Sequence, residues 1–255
     1  MKLLTVKKGI QKTCLCVEKI KFIVGSDEIA KLELKHRFSE FTANLPQSEY
    51  SEETGKILKI SVDGKALGSK NTNVIKVGVD FSLYQEMKLQ AKSILLKTLI
   101  SKLSDGEYQD TLNTIEELFK SLCVEFNEEE WPFKLDSIGI TPTSVMKWME
   151  PRLVIDEIQM NEFDLKVEDF ILLQFQLLEP FLKTSRETNI ILIDYPEITY
   201  PLYEKMCSLE NAIILVFAKH VHAEADLSEF SLFEQGECID LSSDEHIYEK
   251  VCCDI

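Results

Sequence analysis

The sequence predicts an α/β fold in which a mainly parallel sheet forms a head and a helical segment is inserted in mid-chain. Two observations support this prediction. Short apolar runs rich in β-branched residues alternate with helical segments near the end of the chain, as in parallel sheets covered on both faces. The middle of the chain instead contains long segments with the apolar spacing of helices.

The first part of the head is predicted to be sheet with one helix. The segments with strand composition are residues 12–18, 21–25, 56–67 and 73–80. Asp63 and Gly64 form a turn dipeptide inside the third segment, which is therefore predicted to be a hairpin. Ser26 or Asp27 can cap a helix after the second segment, and acidic residues in its first turn favour that assignment.

The middle of the chain is predicted to be helical. Helical patterns cover residues 81–103, 107–126, 144–150 and 163–184. The first contains neither glycine nor proline, and its polar positions form one strip, so most of its surface is apolar. Pro180 lies inside the last pattern and is predicted to kink or break that helix.

The end of the chain returns to alternating strands and helices. Strands are predicted at residues 189–194, 211–218 and 236–241, and helices at residues 198–210 and 243–251. The two outer parts are predicted to form one sheet. This gives a head of residues 1–80 and 181–255, and a helical leg of residues 81–180.

Charge is unevenly divided in a chain whose net charge is −16. Residues 1–102 contain 18 Lys and Arg against 11 Asp and Glu, whereas the remaining residues contain 10 against 33. A basic part suits phosphates and an acidic part suits cations or partners. The alternative is that the charges only keep two surfaces soluble.

Seven cysteines without paired spacing predict mostly buried, reduced thiols and no disulfide framework. No apolar run approaches the ~20 residues of a membrane span. The N-terminus lacks an apolar run of signal-peptide length. A cytoplasmic protein without a membrane partner is expected.

Asp194 ends a buried strand, as does the magnesium-binding acid of many nucleotide hydrolases. Such proteins place G-x-x-x-x-G-K-[ST] between the first strand and helix, where backbone amides surround the phosphates. The chain retains only Gly25 at that junction, and Asp27 and Glu28 would repel phosphate. Tyr195 follows Asp194 in place of a water-activating glutamate. The sequence therefore predicts a degenerate P-loop-NTPase-like sheet that binds no nucleotide and is not an enzyme.

The order of these segments resembles a known family, the ring-forming adaptation protein of type II-A CRISPR antiviral defence. The resemblance covers nearly the whole chain. It is carried by "KFIVGSDEIAKLEL" from residue 21, "NVIKVGVDFSLYQEMKLQAKSILLKTL" from residue 73, and the segment of residues 167–220. In the last segment a leg helix returns to a buried strand, a helix and a second strand.

This resemblance implies a non-catalytic protein of spacer acquisition that forms homotetrameric rings. It implies sequence-independent binding of double-stranded DNA ends and stabilisation of the ring by calcium. It also implies the CRISPR integrase complex and effector nuclease as partners.

The family's calcium ligands follow the second leg helix. The matching acids here are Glu125, Glu128, Glu129, Glu130 and Asp136. Calcium takes six to eight oxygen ligands, several of them carboxylate, whereas the stretch after these acids, residues 137–148, contains no acidic residue. The acids either bind calcium or form a solvated charge run.

Lysines of the basic part are the candidate DNA contacts, and binding is expected through phosphates and shape. The candidates are Lys56, Lys59, Lys65, Lys70, Lys88 and Lys92. The last two lie one turn apart on a mostly apolar helix. They either line a wet channel, or reach solvent or neighbouring acids.

The apolar helix of residues 81–103 also predicts a homo-oligomer, because one leg cannot easily cover it. Two alternatives to the DNA-binding function remain. One is a protein-binding scaffold or regulatory subunit on an inactive P-loop fold, and the other is an atypical nucleotide hydrolase.

Overall fold

A computed structural model describes residues 1–43, 57–90, 93–104, 106–128, 134–136, 139–221 and 224–241. The chain forms two compact units, Met1–Phe81 with Val167–Ile255, and Ser82–Lys166. The second unit ends earlier than the predicted leg of residues 81–180. The reason is that the helix beginning at Val167 packs against the sheet of the first unit.

The described elements alternate between strands and helices along much of the chain. The strands are β1 (Lys2–Lys8), β2 (Gln11–Val17), β3 (Ile20–Val24), β4 (Leu58–Val62), β5 (Lys65–Ala66), β6 (Thr72–Gly78), β7 (Leu153–Ile155), β8 (Ile158–Met160), β9 (Thr188–Asp194), β10 (Glu197–Ile198), β11 (Ile213–Phe217), β12 (His220–Val221), β13 (Phe230–Glu234) and β14 (Glu237–Asp240). The α-helices are α1 (Glu28–Ala43), α2 (Leu83–Met87), α3 (Ile94–Ser104), α4 (Gln109–Glu128), α5 (Pro142–Met146), α6 (Val167–Thr184) and α7 (Tyr200–Ser208). The predicted helix of residues 243–251 lies outside the described residues.

The first unit is built on a six-stranded sheet with the order β14-β13-β3-β11-β9-β6. Its neighbouring strands are parallel except for the β13–β14 hairpin. Every residue of β11 is buried, which suits a strand covered on both faces. The predicted α/β class with a largely parallel sheet is confirmed.

A second sheet of the same unit is antiparallel, with the order β2-β1-β4-β5. β1 was not predicted as a strand, and the prediction that the outer parts form one sheet is wrong for these four strands. Their residues alternate between buried and more exposed positions, which suits a sheet with one face towards solvent.

The core of the first unit joins both sheets to α1. Leu4 and Leu15 of the antiparallel sheet, Ile23 and Leu215 of the parallel sheet, and Phe38 of α1 belong to one buried cluster. This packing leaves the opposite face of the antiparallel sheet to carry polar side chains.

Pro180 does not end α6, which continues to Thr184. Proline removes the amide that would bond to the carbonyl of Gln176. Gln176 is exposed, so solvent can satisfy that carbonyl. Buried side chains on both sides of the proline, Phe175 and Leu182, hold the helix on the sheet.

The predicted helix of residues 81–103 is divided into α2 and α3, which is a correction. Leu89 has a φ of 49°, outside the helical range. The Ser93 hydroxyl accepts a hydrogen bond from the Leu96 amide at 3.1 Å, and the Glu86 carboxylate accepts one from the Leu95 amide at 3.0 Å. These two side chains cap α3, so polar groups assigned to a helical strip instead start a new helix.

The second unit contains a small core and a hairpin that the sequence did not predict. Its core contains Leu96, Leu112, Val145 and Met146. The β7–β8 hairpin turns at two residues with positive φ, Asp156 and Glu157. Among the described residues, no helix is long and apolar enough to cross a membrane.

Candidate nucleic-acid interface

The junction between β3 and α1 is closed by the β13–β14 hairpin. Gly25 has a φ of 105°, and a Cβ atom there would lie 2.3 Å from the Phe233 carbonyl oxygen. The Asp27 amide donates to that same oxygen at 3.1 Å. The Gly236 amide donates to the Asp27 carboxylate at 2.8 Å. Two amides at this junction therefore bond within the protein.

Charged side chains complete the closure. The Ala30 amide donates to Asp27 at 2.9 Å, and this bond, followed by that from Gly236, lowers the pKa of Asp27. Lys31 donates to the Gly25 carbonyl at 2.8 Å and to Glu28 at 2.7 Å. The bond from Lys31 lowers the pKa of Glu28. An internal network therefore occupies the place where a phosphate loop would lie.

Asp194, at the end of β9, is paired with a cation of the protein. Lys35 of α1 donates to its carboxylate at 2.7 Å. The same ammonium lies 5.3 Å from the centre of the Phe217 ring. Among the described residues, no three His, Cys, Asp or Glu side chains form a metal-binding group.

Gly25→Ala is expected to lower the free energy of unfolding by about 3 kcal/mol, because positive φ and a backbone clash act together. Gly64→Ala is the matched control, since Gly64 also has positive φ but a Cβ there meets nothing within 4 Å. The control is expected to cost about 1 kcal/mol. Urea unfolding followed by circular dichroism measures both free energies. Equal losses would show that the β13–β14 hairpin moves to relieve the clash with the new Cβ atom.

The structure describes four of the six predicted DNA-contacting lysines. Lys59 lies on β4, Lys65 on β5 and Lys70 in the following loop, and all three are exposed. Lys65 pairs with Val62, so it projects from the opposite side of the sheet to Lys59. Lys88 follows α2, and its ammonium lies 4.3 Å from the Tyr84 ring centre. Lys56 and Lys92 lie outside the described residues.

Lys59 instead belongs to a row of lysines across three strands. Lys7 of β1 is the register partner of Lys12 on β2 and of Lys59 on β4. Register partners project from the same face with Cβ atoms about 5 Å apart. All three side chains are exposed, and none forms an ion pair within the described part of the chain. We call Lys7, Lys12 and Lys59 the lysine row.

Two members of this row were missed from the sequence. The local signal is "KKGIQK", in which Lys7 and Lys12 flank the turn at Gly9 and Ile10. Because β1 was not predicted, nothing indicated that these lysines face one another or that Lys59 lies beside them.

The predicted calcium ligands are only partly described. Glu125 and Glu128 lie in the last turn of α4, and Asp136 follows in a short segment. Glu129 and Glu130 lie outside the described residues. Asn127 and Leu135 exchange two hydrogen bonds, of 2.7 and 2.8 Å, that hold the short segment near the helix end. Calcium binding stays a prediction.

The described cysteines are less buried than predicted. Cys14, Cys16, Cys123 and Cys238 are half-buried free thiols, whereas Cys207 is exposed. Burial raises the pKa of Cys238 to about 12. We therefore assign no chemistry to that thiol.

The chain is similar in fold to a solved structure from Streptococcus thermophilus. The superposition on Stu0660 of Streptococcus thermophilus includes 99% of this chain and 80% of Stu0660. The TM-score is 0.74 and the sequence identity is 14%. A second structure, the recombination mediator protein RecF, gives a TM-score of 0.41 with 13% identity, 92% of this chain and 96% of RecF being covered. That score is too low to establish a common fold. No protein-family model matches the chain. No curated protein matches it either.

Proposed function

We propose that this protein is a non-catalytic, calcium-stabilised ring that binds the ends of double-stranded DNA during CRISPR spacer acquisition. Binding is independent of sequence and uses the phosphate backbone. The CRISPR integrase complex and effector nuclease are its proposed partners.

The lysine row carries this proposal. Like charges on directly opposite strand positions cost stability, roughly 0.2–1 kcal/mol per pair. A polyanion bound to the exposed lysines would neutralise them and remove this cost. Double-stranded DNA has one charge per ~1.7 Å of axis, so a row about 10 Å wide meets several phosphates.

Two further observations support the proposal. The fold likeness to Stu0660 extends over nearly the whole chain, as does the resemblance to the CRISPR adaptation family. The closed β3–α1 junction and the Lys35–Asp194 pair leave the usual positions for phosphate and magnesium occupied by protein groups. This supports a role without nucleotide hydrolysis.

Ring formation is proposed from the family resemblance, because the second ground, an uncovered apolar helix, does not hold. The apolar helix that predicted it is divided, and Ile94 and Leu96 of α3 are buried by the chain itself. The resemblance still supports the tetramer, and acidic residues at the end of α4 support calcium dependence. Sedimentation with calcium and with chelator measures both, and a strict monomer in calcium would contradict ring formation.

The deciding experiment compares linear and closed-circular duplexes of one sequence in a gel-shift assay. If a ring binds DNA ends, the protein should slow the migration of the linear duplex and leave that of the closed circle unchanged. Equal binding to both duplexes would support DNA binding but refute the recognition of ends. If neither binds at low salt, the scaffold alternative replaces this proposal, and turnover of magnesium-ATP would favour the hydrolase.

A further inference from the structure

An apolar strip on α4 extends beyond the core of its own unit. Leu112, Ile115, Phe119 and Leu122 recur at alternating spacings of three and four, the pattern of a helix that packs along another helix. Leu112 is buried, but Leu122 is 50% exposed. Leu118 beside the strip is exposed as well. The pattern therefore continues where the unit no longer covers it.

An aromatic pair lies at the centre of this exposed surface. Trp148, which follows α5, stacks on Phe119 with ring centres 5.3 Å apart. Trp148 is 56% exposed despite this contact. Exposed aromatic residues are typical anchors of protein–protein interfaces.

The charges around the strip decide between possible occupants. α4 contains five acidic residues and one lysine, and that lysine, Lys120, is already paired with Glu116 and Glu117. On the helical circumference Glu116 and Glu125 lie on either side of the strip. Without a bound cation, two copies packed through this face would bring their carboxylates together, which is unfavourable.

We propose that the apolar strip of α4, with Trp148, binds a basic amphipathic helix of another protein. Leucines of the partner helix would pack along Ile115, Phe119 and Leu122. Lysine or arginine side chains at the flanking positions would meet Glu116 and Glu125. None of these residues belongs to the lysine row, and the inference holds whether or not the protein binds DNA.

The test uses a synthetic helical peptide with leucine at heptad positions a and d and lysine at e and g. The full-length protein is titrated with this peptide by calorimetry in the presence of a calcium chelator, so that no cation competes with the peptide for Glu125. Two control peptides carry glutamate at e and g, or the basic composition in scrambled order. Binding of the basic helix at least about tenfold tighter than either control is expected, with weakening at high salt.

Protein variants locate the contact. Leu122→Gln should weaken the basic peptide at least about tenfold, because a central apolar anchor is lost. Val124→Gln is the matched control, since Val124 is 58% exposed on the same helix but lies off the strip. Unchanged helix content by circular dichroism ensures that both variants are folded.

Three outcomes would overturn the inference. One is that the basic peptide binds no more tightly than the control peptides, or does not bind at all. The second is equal weakening by Leu122→Gln and Val124→Gln. The third is self-association in the absence of peptide that Leu122→Gln abolishes, because a second copy would then be the occupant.

Discussion

Replacing Lys7, Lys12 and Lys59 together with glutamine is expected to weaken binding of a linear duplex on the order of a thousandfold at about 50 mM salt. Each lysine that neutralises a phosphate contributes about 0.9 to the slope of log affinity against log salt. Loss of three contacts should therefore reduce the slope by about 2.7. Fluorescence anisotropy across a salt series measures both quantities.

The control must change net charge equally without touching the lysine row. Lys102, Lys147 and Lys166 are exposed residues of the second unit, and their triple replacement with glutamine serves this purpose. It is expected to change affinity only slightly. If both triple variants weaken binding alike, overall charge is responsible and the row is not the interface. Unchanged affinity and slope in the row variant would also refute its contact with DNA.

Asp240→Ala is expected to destabilise the first unit by about 3–5 kcal/mol, because it leaves a buried ammonium unpaired. Lys21 lies on β3 between two parallel neighbours, and its side chain is fully buried. It donates to Asp240 at 2.6 Å and to the Ser228 carbonyl at 2.7 Å. The other oxygen of Asp240 accepts from the Cys16 amide. The Asp240 carboxylate therefore connects the six-stranded sheet, which contains β14 and β3, to β2 of the antiparallel sheet.

Two further variants distinguish the effect of an unpaired buried charge from the effect of removing a carboxylate side chain. Lys21→Met combined with Asp240→Leu replaces the ion pair with apolar groups and should recover most of the stability. Glu150→Ala removes the exposed partner of Arg152 and should cost less than about 0.5 kcal/mol. Urea unfolding followed by circular dichroism compares the variants. A loss from Asp240→Ala as small as that from Glu150→Ala would show that Lys21 reaches solvent.

Several features of the first unit were predictable because their signals are local. The apolar runs that become β9 and β11 and the acidic cap of α1 each lie within a few neighbouring residues. The missing phosphate-loop residues at Gly25 are likewise a property of one short segment. Such patterns predict an element and its burial without reference to the rest of the chain.

Local patterns failed where two structures fit the same residues. The segment of residues 81–103 has helical spacing throughout, but Glu86 and Ser93 bond to the amides that open α3. Serine competes with the helix for backbone amides, and spacing alone does not show which structure wins. The short strands β7 and β8 were missed because three residues are too few for a periodic signal.

The sequence by itself determined the α/β class, the helical middle and the loss of the phosphate-binding motif. Only the tertiary structure decided that Lys7, Lys12 and Lys59 form one row, since the strand register places Lys59 beside Lys7, which is 52 positions earlier in the chain. Only the tertiary structure paired Lys21 with Asp240, which are separated by 219 positions. Composition and spacing describe how a segment folds beside its neighbours. The packing of the whole unit determines which distant segments come into contact, and the candidate site depends on those tertiary contacts.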